Sequence, residues 1–125
     1  MSLISILLVD DNPQFLEAAR RFLKKDSRLV VSGCALSGEN ALQQVEQTRP
    51  DLVLLDLVMP GMNGLEVTRR LKAQPNAPRV IILTLHDHDE YRLAAQEAGA
   101  DGFVIKSEVG ARLIPAIQHL FNGSK

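Results

Sequence analysis

Short runs of apolar residues recur along the chain at regular spacing, and each run is too short for a helix and rich in Ile, Val and Leu. The runs are nearly continuous instead of alternating with polar residues, which is typical of parallel strands that are covered on both faces. The pattern therefore predicts five strands, over Ile4–Val9, Leu29–Ala35, 52–55, 80–83 and 103–105.

Between these runs, apolar residues repeat with helical spacing. In the first gap Asn12 can cap a helix, and Pro13 can occupy the first helical position, where its missing N–H costs nothing. A second helix starts near Ser37 and stops before Pro50, because the residue preceding a proline is disfavoured in the helical conformation. The pattern beyond Gly64 predicts a third helix.

Two further helices follow the fourth and fifth strands. Asp87 and Glu90 have the spacing of a capping box at the start of the fourth helix, and Gly99 suits its left-handed C-terminal cap. In the last helix Pro115 would cost about 3 kcal/mol at an interior position. We therefore expect that this helix either begins close to Arg112 or is kinked.

Strict alternation of strands and helices predicts an α/β fold of (βα)5 type, an open, doubly wound, parallel five-stranded sheet with right-handed crossovers. The length of 125 residues predicts one domain over residues 1–125. In such sheets ligands bind beyond the carboxyl ends of the strands, so this edge is where a functional site is expected.

Composition and charge exclude several function classes. With 14 Lys+Arg against 15 Asp+Glu, the chain lacks the basic excess that sequence-independent nucleic-acid binding requires. Cys34 is the only cysteine, which excludes an intramolecular disulfide or a cysteine-based zinc cluster and favours a cytoplasmic location. No apolar stretch approaches about 18 residues, so no membrane span is expected.

Polar residues stand at or just beyond the ends of four predicted strands: Asp10, Asp11, Asp56, Thr84 and Lys106. Carboxylates about 4 Å apart repel by about 4 kcal/mol per pair at an effective dielectric constant near 20, so three in one pocket require a cation. An all-oxygen site suits Mg²⁺. Beside such an ion a carboxylate can act as nucleophile toward phosphorus, while Lys106 and Thr84 contact the transferred oxygens.

Four segments carry a resemblance to a known family: LLVDDN at 7–12, DLVLLDLVMPGMNG at 51–64, VIILT at 80–84 and AGADGFVIK at 98–106. In this order and spacing they resemble the receiver domain of bacterial two-component response regulators, whose fold is flavodoxin-like. Residues 113–123 resemble the end of the receiver in NarL/LuxR-type transcription regulators. The resemblance covers essentially the whole chain.

The resemblance implies a signalling phosphoacceptor and not an enzyme, although such domains promote their own phosphorylation and dephosphorylation. Asp56 would take the phosphoryl group from a phosphohistidine of a partner histidine kinase, and Thr84 and Lys106 would bind its oxygens. The implied ligands of Mg²⁺ (or Mn²⁺) are Asp10, Asp11, Asp56 and the main-chain carbonyl of Val58.

The family's switch implies that the Thr84 hydroxyl moves toward the phosphoryl group and that Phe103 fills the vacated space. The output surface would then comprise residues 87–98 and 103–121, formed by the fourth helix, the fifth strand and the fifth helix. An attached output domain, a partner protein or a second copy of the chain would bind there. Val58 and His86 would flank the attacking water and tune the lifetime of the phosphoryl group.

Two positions depart from the family pattern. Ser107 stands where many receivers have proline, and a cis bond before a residue other than proline costs about 2.5–4 kcal/mol, which leaves the Lys106–Ser107 geometry open. Leu85 stands where a small residue is common, and its bulk narrows the expected approach to Asp56. His86 and His88 lack a third ligand and are interpreted as solvated.

Two other functions fit the sequence less well. A Mg²⁺-dependent phosphatase with an aspartyl nucleophile would have Asp-x-Asp spacing after the first strand, whereas Asp10 and Asp11 are adjacent. A flavodoxin-like electron carrier lacks a phosphate loop here, and only 4% of the residues are aromatic. Within the receiver hypothesis, the chain is either the N-terminal part of a longer DNA-binding regulator or, as the alternative, a stand-alone receiver. These residues themselves contain no element expected to contact nucleic acid.

Overall fold

The computed structural model describes residues 2–122. Met1 and residues 123–125, which belong to the predicted domain, lie outside the described part. Five strands form one parallel sheet: β1 (Ile4–Val9), β2 (Leu29–Ala35), β3 (Leu52–Asp56), β4 (Arg79–Thr84) and β5 (Gly102–Ile105). Their order across the sheet is β2-β1-β3-β4-β5, so β1 and β3 are neighbours and the order reverses between them. This is the predicted flavodoxin-like, doubly wound arrangement.

A helix follows each strand: α1 (Pro13–Leu23), α2 (Gly38–Thr48), α3 (Gly64–Lys72), α4 (Asp89–Ala98) and α5 (Val109–Asn122). A short 3₁₀ turn over Lys106–Glu108 connects β5 to α5. None of the helices within residues 2–122 combines the length and the apolar character needed to cross a membrane.

Alternate residues of the strands pack into two separate hydrophobic cores. On one face Leu8 and Leu54 contact the apolar stripes of α1 and α5. On the other face Val9 and Leu55 contact α2, α3 and α4. Helices therefore cover both faces of the sheet, which is why the strand sequences are continuously apolar.

The register of the sheet aligns the carboxyl ends of its central strands. The pairs nearest that edge are Val9 with Leu55, Asp56 with Leu83, and Thr84 with Ile105. The polar residues that end or follow these strands consequently lie along one edge. The fold thus brings together side chains that are far apart in the sequence.

Most predicted helix boundaries are confirmed. The Asn12 side chain accepts hydrogen bonds from two backbone N–H groups of the first turn of α1, and Ser37 caps α2 in the same way through the Asn40 N–H. Gly99 ends α4 in the left-handed conformation, with φ of 102°. Glycine adopts this conformation without the steric cost that a Cβ atom imposes.

The starts of α4 and α5 differ from those that the sequence suggests. Asp87 does not cap α4, because the helix begins at Asp89 after His88, and the Asp87 carboxylate instead pairs with Arg92. The last helix begins at Val109, which excludes a start close to Arg112, one of the two alternatives expected, and Pro115 lies inside the helix. Pro115 is exposed on the solvent side, where water can reach the carbonyl group that its missing N–H leaves without a partner.

Candidate functional site

The carboxyl edge of the sheet gathers the five polar residues that the strand ends predict, Asp10, Asp11, Asp56, Thr84 and Lys106. Asp10 follows β1 and is buried, and Asp11 beside it is exposed. Asp56 and Thr84 are the last residues of β3 and β4, and both are buried. Lys106 is the first residue after β5 and is half-buried. Each of the five therefore lies at the predicted edge.

Three of these residues form a carboxylate cluster. Asp10, Asp11 and Asp56 each offer a carboxylate oxygen, and these oxygens all lie within 4.8 Å of one another. Carboxylate oxygens are hard donors, which is the donor type that small divalent cations prefer. The cluster has the chemistry and the spacing to hold such an ion, and two of its members are too buried for bulk water to neutralise their charge.

The Lys106 ammonium group supplies the opposing charge. Its Nζ donates a hydrogen bond to Oδ2 of Asp10 at 2.6 Å and lies 3.5 Å from Oδ2 of Asp56. The Lys106 side chain is only 11% exposed, so both ion pairs are largely shielded from solvent. The Lys106 ammonium also lies 4.2 Å from the centroid of the Phe15 ring. It is thus held between two carboxylates and an aromatic face.

The surroundings of the Asp56 carboxyl group shift its pKa. Burial raises the pKa of the Asp56 carboxyl above its ordinary value. The positive charge of Lys106 opposes this rise, and the negative charge of Asp10 adds to it. The Val58 backbone N–H opposes the rise in pKa, because it favours the charged form of the carboxylate. Desolvation dominates, so the fold disfavours the isolated negative charge at this position.

Asp10 is oriented by the start of α1. Its Oδ1 accepts a hydrogen bond from the Asn12 N–H at 2.9 Å, while its Oδ2 binds Lys106. Asn12 is also the N-cap of α1. The same short turn therefore ends β1, fixes the carboxylate and begins the helix.

Thr84 is fully buried, and its Oγ1 accepts a hydrogen bond from the His86 N–H at 3.1 Å. The rings of His86 and His88 both lie beside Tyr91, with centroids 5.4 Å and 5.5 Å from the Tyr91 ring. Both histidines are exposed, and neither belongs to a group of potential metal ligands among residues 2–122.

The remaining predicted residues differ in their exposure and packing. Val58 is 52% exposed and Leu85 is 72% exposed. Phe103 is half-buried and packs against the core beneath α4, with the Arg92 guanidinium over its ring. Every peptide bond in the described chain is trans, which settles the Lys106–Ser107 geometry that the sequence left open.

The start of α3 supports Asp56 from behind. The Gly64 N–H donates a hydrogen bond to the Leu57 carbonyl at 2.9 Å. A Cβ atom at Gly64 would lie only 2.2 Å from the Asp56 carbonyl oxygen. Only glycine permits this close approach, so the backbone that carries Asp56 depends on the absence of a side chain at Gly64.

Two contributors to the site were not found from the sequence. Phe15 belongs to the apolar stripe of α1, a pattern that by itself predicts a core position, and the sequence predicts Asn12 only as a cap. The signal that could have pointed to Phe15 is its distance of four residues from Asp11, since the first turn of α1 begins at the site. The partner of the ring, Lys106, is 91 residues away, and only the tertiary structure brings the two together.

Known proteins resemble this chain over nearly its whole length. The family model described as the response regulator receiver domain matches residues 6–118. The nitrate/nitrite response regulator NarL of Escherichia coli K12 is 34% identical over 119 residues, which cover 95% of this chain and 55% of that protein. The response regulator GacA of Pseudomonas aeruginosa is 34% identical over 124 residues, with 98% and 58% covered.

Solved structures agree with these relatives. A two-component response regulator of the LuxR family from Aurantimonas sp. superposes with a TM-score of 0.92 and 37% identity, over 98% of this chain and 87% of that one. A DNA-binding response regulator of the LuxR family from Staphylococcus aureus gives a TM-score of 0.89 and 27% identity, with 96% and 100% covered. The chain spans a little over half the length of the curated relatives that it matches.

Proposed function

The chain belongs to the family of response regulator receiver domains, of the type found in NarL/LuxR regulators, and we propose that Asp56 is its phosphoacceptor. The observation that carries the proposal is the position of this buried carboxylate. It lies 3.5 Å from the Lys106 ammonium and has the carboxylates of Asp10 and Asp11 within 4.8 Å. A single carboxylate with this set of neighbours is equipped for phosphoryl transfer.

The proposed metal is Mg²⁺, or Mn²⁺, held by Asp10, Asp11, Asp56 and the main-chain carbonyl of Val58. When bound, the ion supplies positive charge that stabilises the phosphoryl oxygens as they gain charge. These groups would hold the ion, and the Lys106 ammonium, which donates a hydrogen bond to Oδ2 of Asp10, would add a second positive charge. The fit rests on the clustered carboxylate oxygens.

The proposed reaction is transfer from a phosphohistidine of a partner histidine kinase. An oxygen of the Asp56 carboxylate attacks phosphorus as the P–N bond breaks, and the electron pair of that bond leaves with the imidazole nitrogen. The Lys106 ammonium and the Thr84 hydroxyl bind the transferred oxygens. Asp56 is then an acyl phosphate, which water hydrolyses, and Val58 and His86 flank the path of that water.

The proposed output is a change in the surface of residues 87–98 and 103–121. Thr84 would move toward the phosphoryl group, breaking the hydrogen bond that its Oγ1 accepts from the His86 N–H, and Phe103 would turn inward. An attached DNA-binding domain, which would control transcription, is the favoured recipient, because the matched relatives extend well beyond the region covered here. A stand-alone receiver that acts by protein–protein contact or by forming a homodimer is the alternative.

A cytoplasmic location is part of the same proposal, because the free thiol of Cys34 suits a reducing compartment. The coding sequence downstream of codon 125 distinguishes the attached output domain from the stand-alone receiver. An open reading frame that continues into a helix-turn-helix supports the first, and an immediate stop supports the second.

The phosphoacceptor is tested by incubating the protein with acetyl phosphate and Mg²⁺ and reading the intact mass. The wild type is expected to gain about 80 Da, the mass of one phosphoryl unit, and Asp56→Asn is expected to gain none. Equal labelling of the two proteins at the same site would refute the assignment. Binding of beryllofluoride and labelling of Leu85→Ala, measured in parallel, reveal whether the bulk of Leu85 slows access to the site.

A further inference from the structure

The Lys106 ammonium has one neighbour that carries no charge. The centroid of the Phe15 ring lies 4.2 Å from Nζ, well within the roughly 6 Å over which an aromatic face attracts a cation. We propose that Phe15 is a positioning residue, whose ring holds the Lys106 ammonium in the acidic pocket for phosphoryl transfer to Asp56. This inference rests on the proposed function and adds a residue to it.

The backbone of Phe15 is fixed by the same turn that fixes Asp10. The Asn12 N–H donates to Oδ1 of Asp10 at 2.9 Å, and Oδ1 of Asn12 accepts from the N–H groups of Gln14 and Phe15 at 2.9 Å and 3.3 Å. The Lys106 ammonium contacts both residues, because it donates a hydrogen bond to Oδ2 of Asp10 and lies over the Phe15 ring. The aromatic face is therefore held in place relative to the carboxylate that the ammonium binds.

A divalent cation would compete with the Lys106 ammonium for the carboxylates but not for the Phe15 ring. Asp10 and Asp56, which attract the ammonium in this structure, are the same groups that would hold a divalent cation. A cation bound to them neutralises the charge that attracts Lys106. The carbon face of Phe15 is no ligand for a hard cation, so its attraction for the ammonium persists. Lysine needs such a contact because its four-carbon stem is flexible.

A second phenylalanine of α1 provides a matched control. Phe22 is also half-buried, packs against the same core as Phe15 and has a lysine over its ring, with Lys25 Nζ 5.0 Å from the centroid. It lies seven residues farther along the helix, about 10 Å away, and Lys25 is exposed. Phe22→Leu therefore removes the same ring from the same core without changing Lys106.

The kinetic test compares Phe15→Leu, Phe15→Tyr and Phe22→Leu by the rate of mass gain in acetyl phosphate and Mg²⁺. We expect Phe15→Leu to lower the rate constant by about threefold to thirtyfold, the range of a partly to fully desolvated cation–π contact. Phe15→Tyr retains the aromatic face and should recover most of the rate. Phe22→Leu should phosphorylate like the wild type.

A spectroscopic test needs neither metal nor phosphoryl donor. In the metal-free protein the ε-methylene protons of Lys106 are expected to be shifted upfield by the ring current of Phe15, in the wild type and in Phe15→Tyr. The shift should disappear in Phe15→Leu and persist in Phe22→Leu. A change confined to Lys106 distinguishes positioning from general loss of packing, which would alter many core resonances.

The inference is overturned if Phe15→Leu labels at the wild-type rate, or if Phe22→Leu loses as much. It is also overturned if Phe15→Leu causes the same further loss in a Lys106→Met background, where there is no ammonium to position. Absence of any adduct on the wild type would refute the proposed function instead. In that case the upfield shift of Lys106 in the metal-free protein still decides whether the ring holds the ammonium.

Discussion

The guanidinium carbon of Arg92 lies 4.7 Å from the centroid of the Phe103 ring. Nε and one Nη of the same guanidinium bind Oδ1 of Asp87 at 3.3 Å and 3.1 Å. Arg92 thus connects the segment after β4 to the half-buried ring on β5. Phenylalanine has no hydroxyl group that could fix its position by a hydrogen bond, and the Arg92 guanidinium contacts the face of the ring instead.

Arg92→Met should therefore shift the proposed switch toward its phosphorylated form. The cation–π contact favours the present position of Phe103 by about 0.5–1 kcal/mol, and its loss raises the population of the inward position. Because a ligand binds more tightly when its competent state is more populated, beryllofluoride affinity should rise about twofold to fivefold. Calorimetric titration in Mg²⁺ measures the change.

Arg21→Met is the control for this prediction. Arg21 pairs with Glu17 at 3.2 Å on the exposed face of α1, and within residues 2–122 its guanidinium does not lie over an aromatic ring. It loses the same charge without changing Phe103, so its beryllofluoride affinity should equal that of the wild type. Unchanged or weaker binding by Arg92→Met would contradict the assigned role of Arg92.

Lys106→Met should make the metal-free protein less stable and yet improve its affinity for Mg²⁺. Removing the ammonium leaves Asp10 and Asp56 as buried, unpaired carboxylates, a type of change that costs about 3–5 kcal/mol. The same change removes the positive charge that occupies Oδ2 of Asp10. Denaturant unfolding in EDTA and calorimetric Mg²⁺ titration measure the two effects.

Lys72→Met separates the two effects of the Lys106 substitution. Lys72 pairs with Asp101 at 2.7 Å and is similarly shielded, but it lies on α3 and contacts none of the three clustered carboxylates. The Lys72→Met protein should be less stable than the wild type, while its Mg²⁺ affinity stays at the wild-type value. If Lys106→Met binds Mg²⁺ no better than Lys72→Met, the ammonium does not compete with the ion.

The sequence predicted the sheet closely because buried parallel strands leave a strong pattern. β1 and β2 have the predicted bounds, and β3 extends one residue further, to Asp56. The common edge followed from the rule that parallel strands end together. The prediction that Asp87 caps α4 was wrong. The Asp87 carboxylate pairs with Arg92, and residue spacing does not reveal this pairing. The contact between Phe15 and Lys106 likewise depends on tertiary packing.

Asp56→Asn should raise the Tm of the metal-free protein at neutral pH. Burial raises the pKa of Asp56, so the folded state binds this proton more tightly than the unfolded chain does. The contribution of Asp56 to stability is therefore full below its unfolded pKa and is lost as the pH rises through its folded pKa. The advantage of Asn over Asp should be largest near pH 7 and should shrink toward pH 4 in thermal unfolding scans.

Glu66→Gln provides a contrast of opposite sign. The hydrogen bond from Arg70 lowers the pKa of Glu66, so this carboxylate contributes stability above its unfolded pKa and loses it as the pH falls through its folded pKa. Glu66→Gln should therefore be slightly less stable than the wild type at pH 7, with a difference that shrinks in acid. A Tm gain in Asp56→Asn that does not change with pH would contradict the role of desolvation.

Gly64→Ala should destabilise the protein and slow phosphorylation, although Gly64 touches Asp56 only through the backbone. The new Cβ atom would lie 2.2 Å from the Asp56 carbonyl oxygen, so α3 and the end of β3 must move apart. We expect a loss of about 2–3 kcal/mol in the free energy of unfolding, typical of overpacking at a rigid contact. Gly110→Ala is the control, because nothing lies within 4 Å of its added Cβ atom and alanine is the better helix former. Denaturant unfolding should show Gly110→Ala at or above wild-type stability, with normal labelling of Asp56. Normal labelling of Gly64→Ala would show that the close approach is not needed to hold the proposed phosphoacceptor.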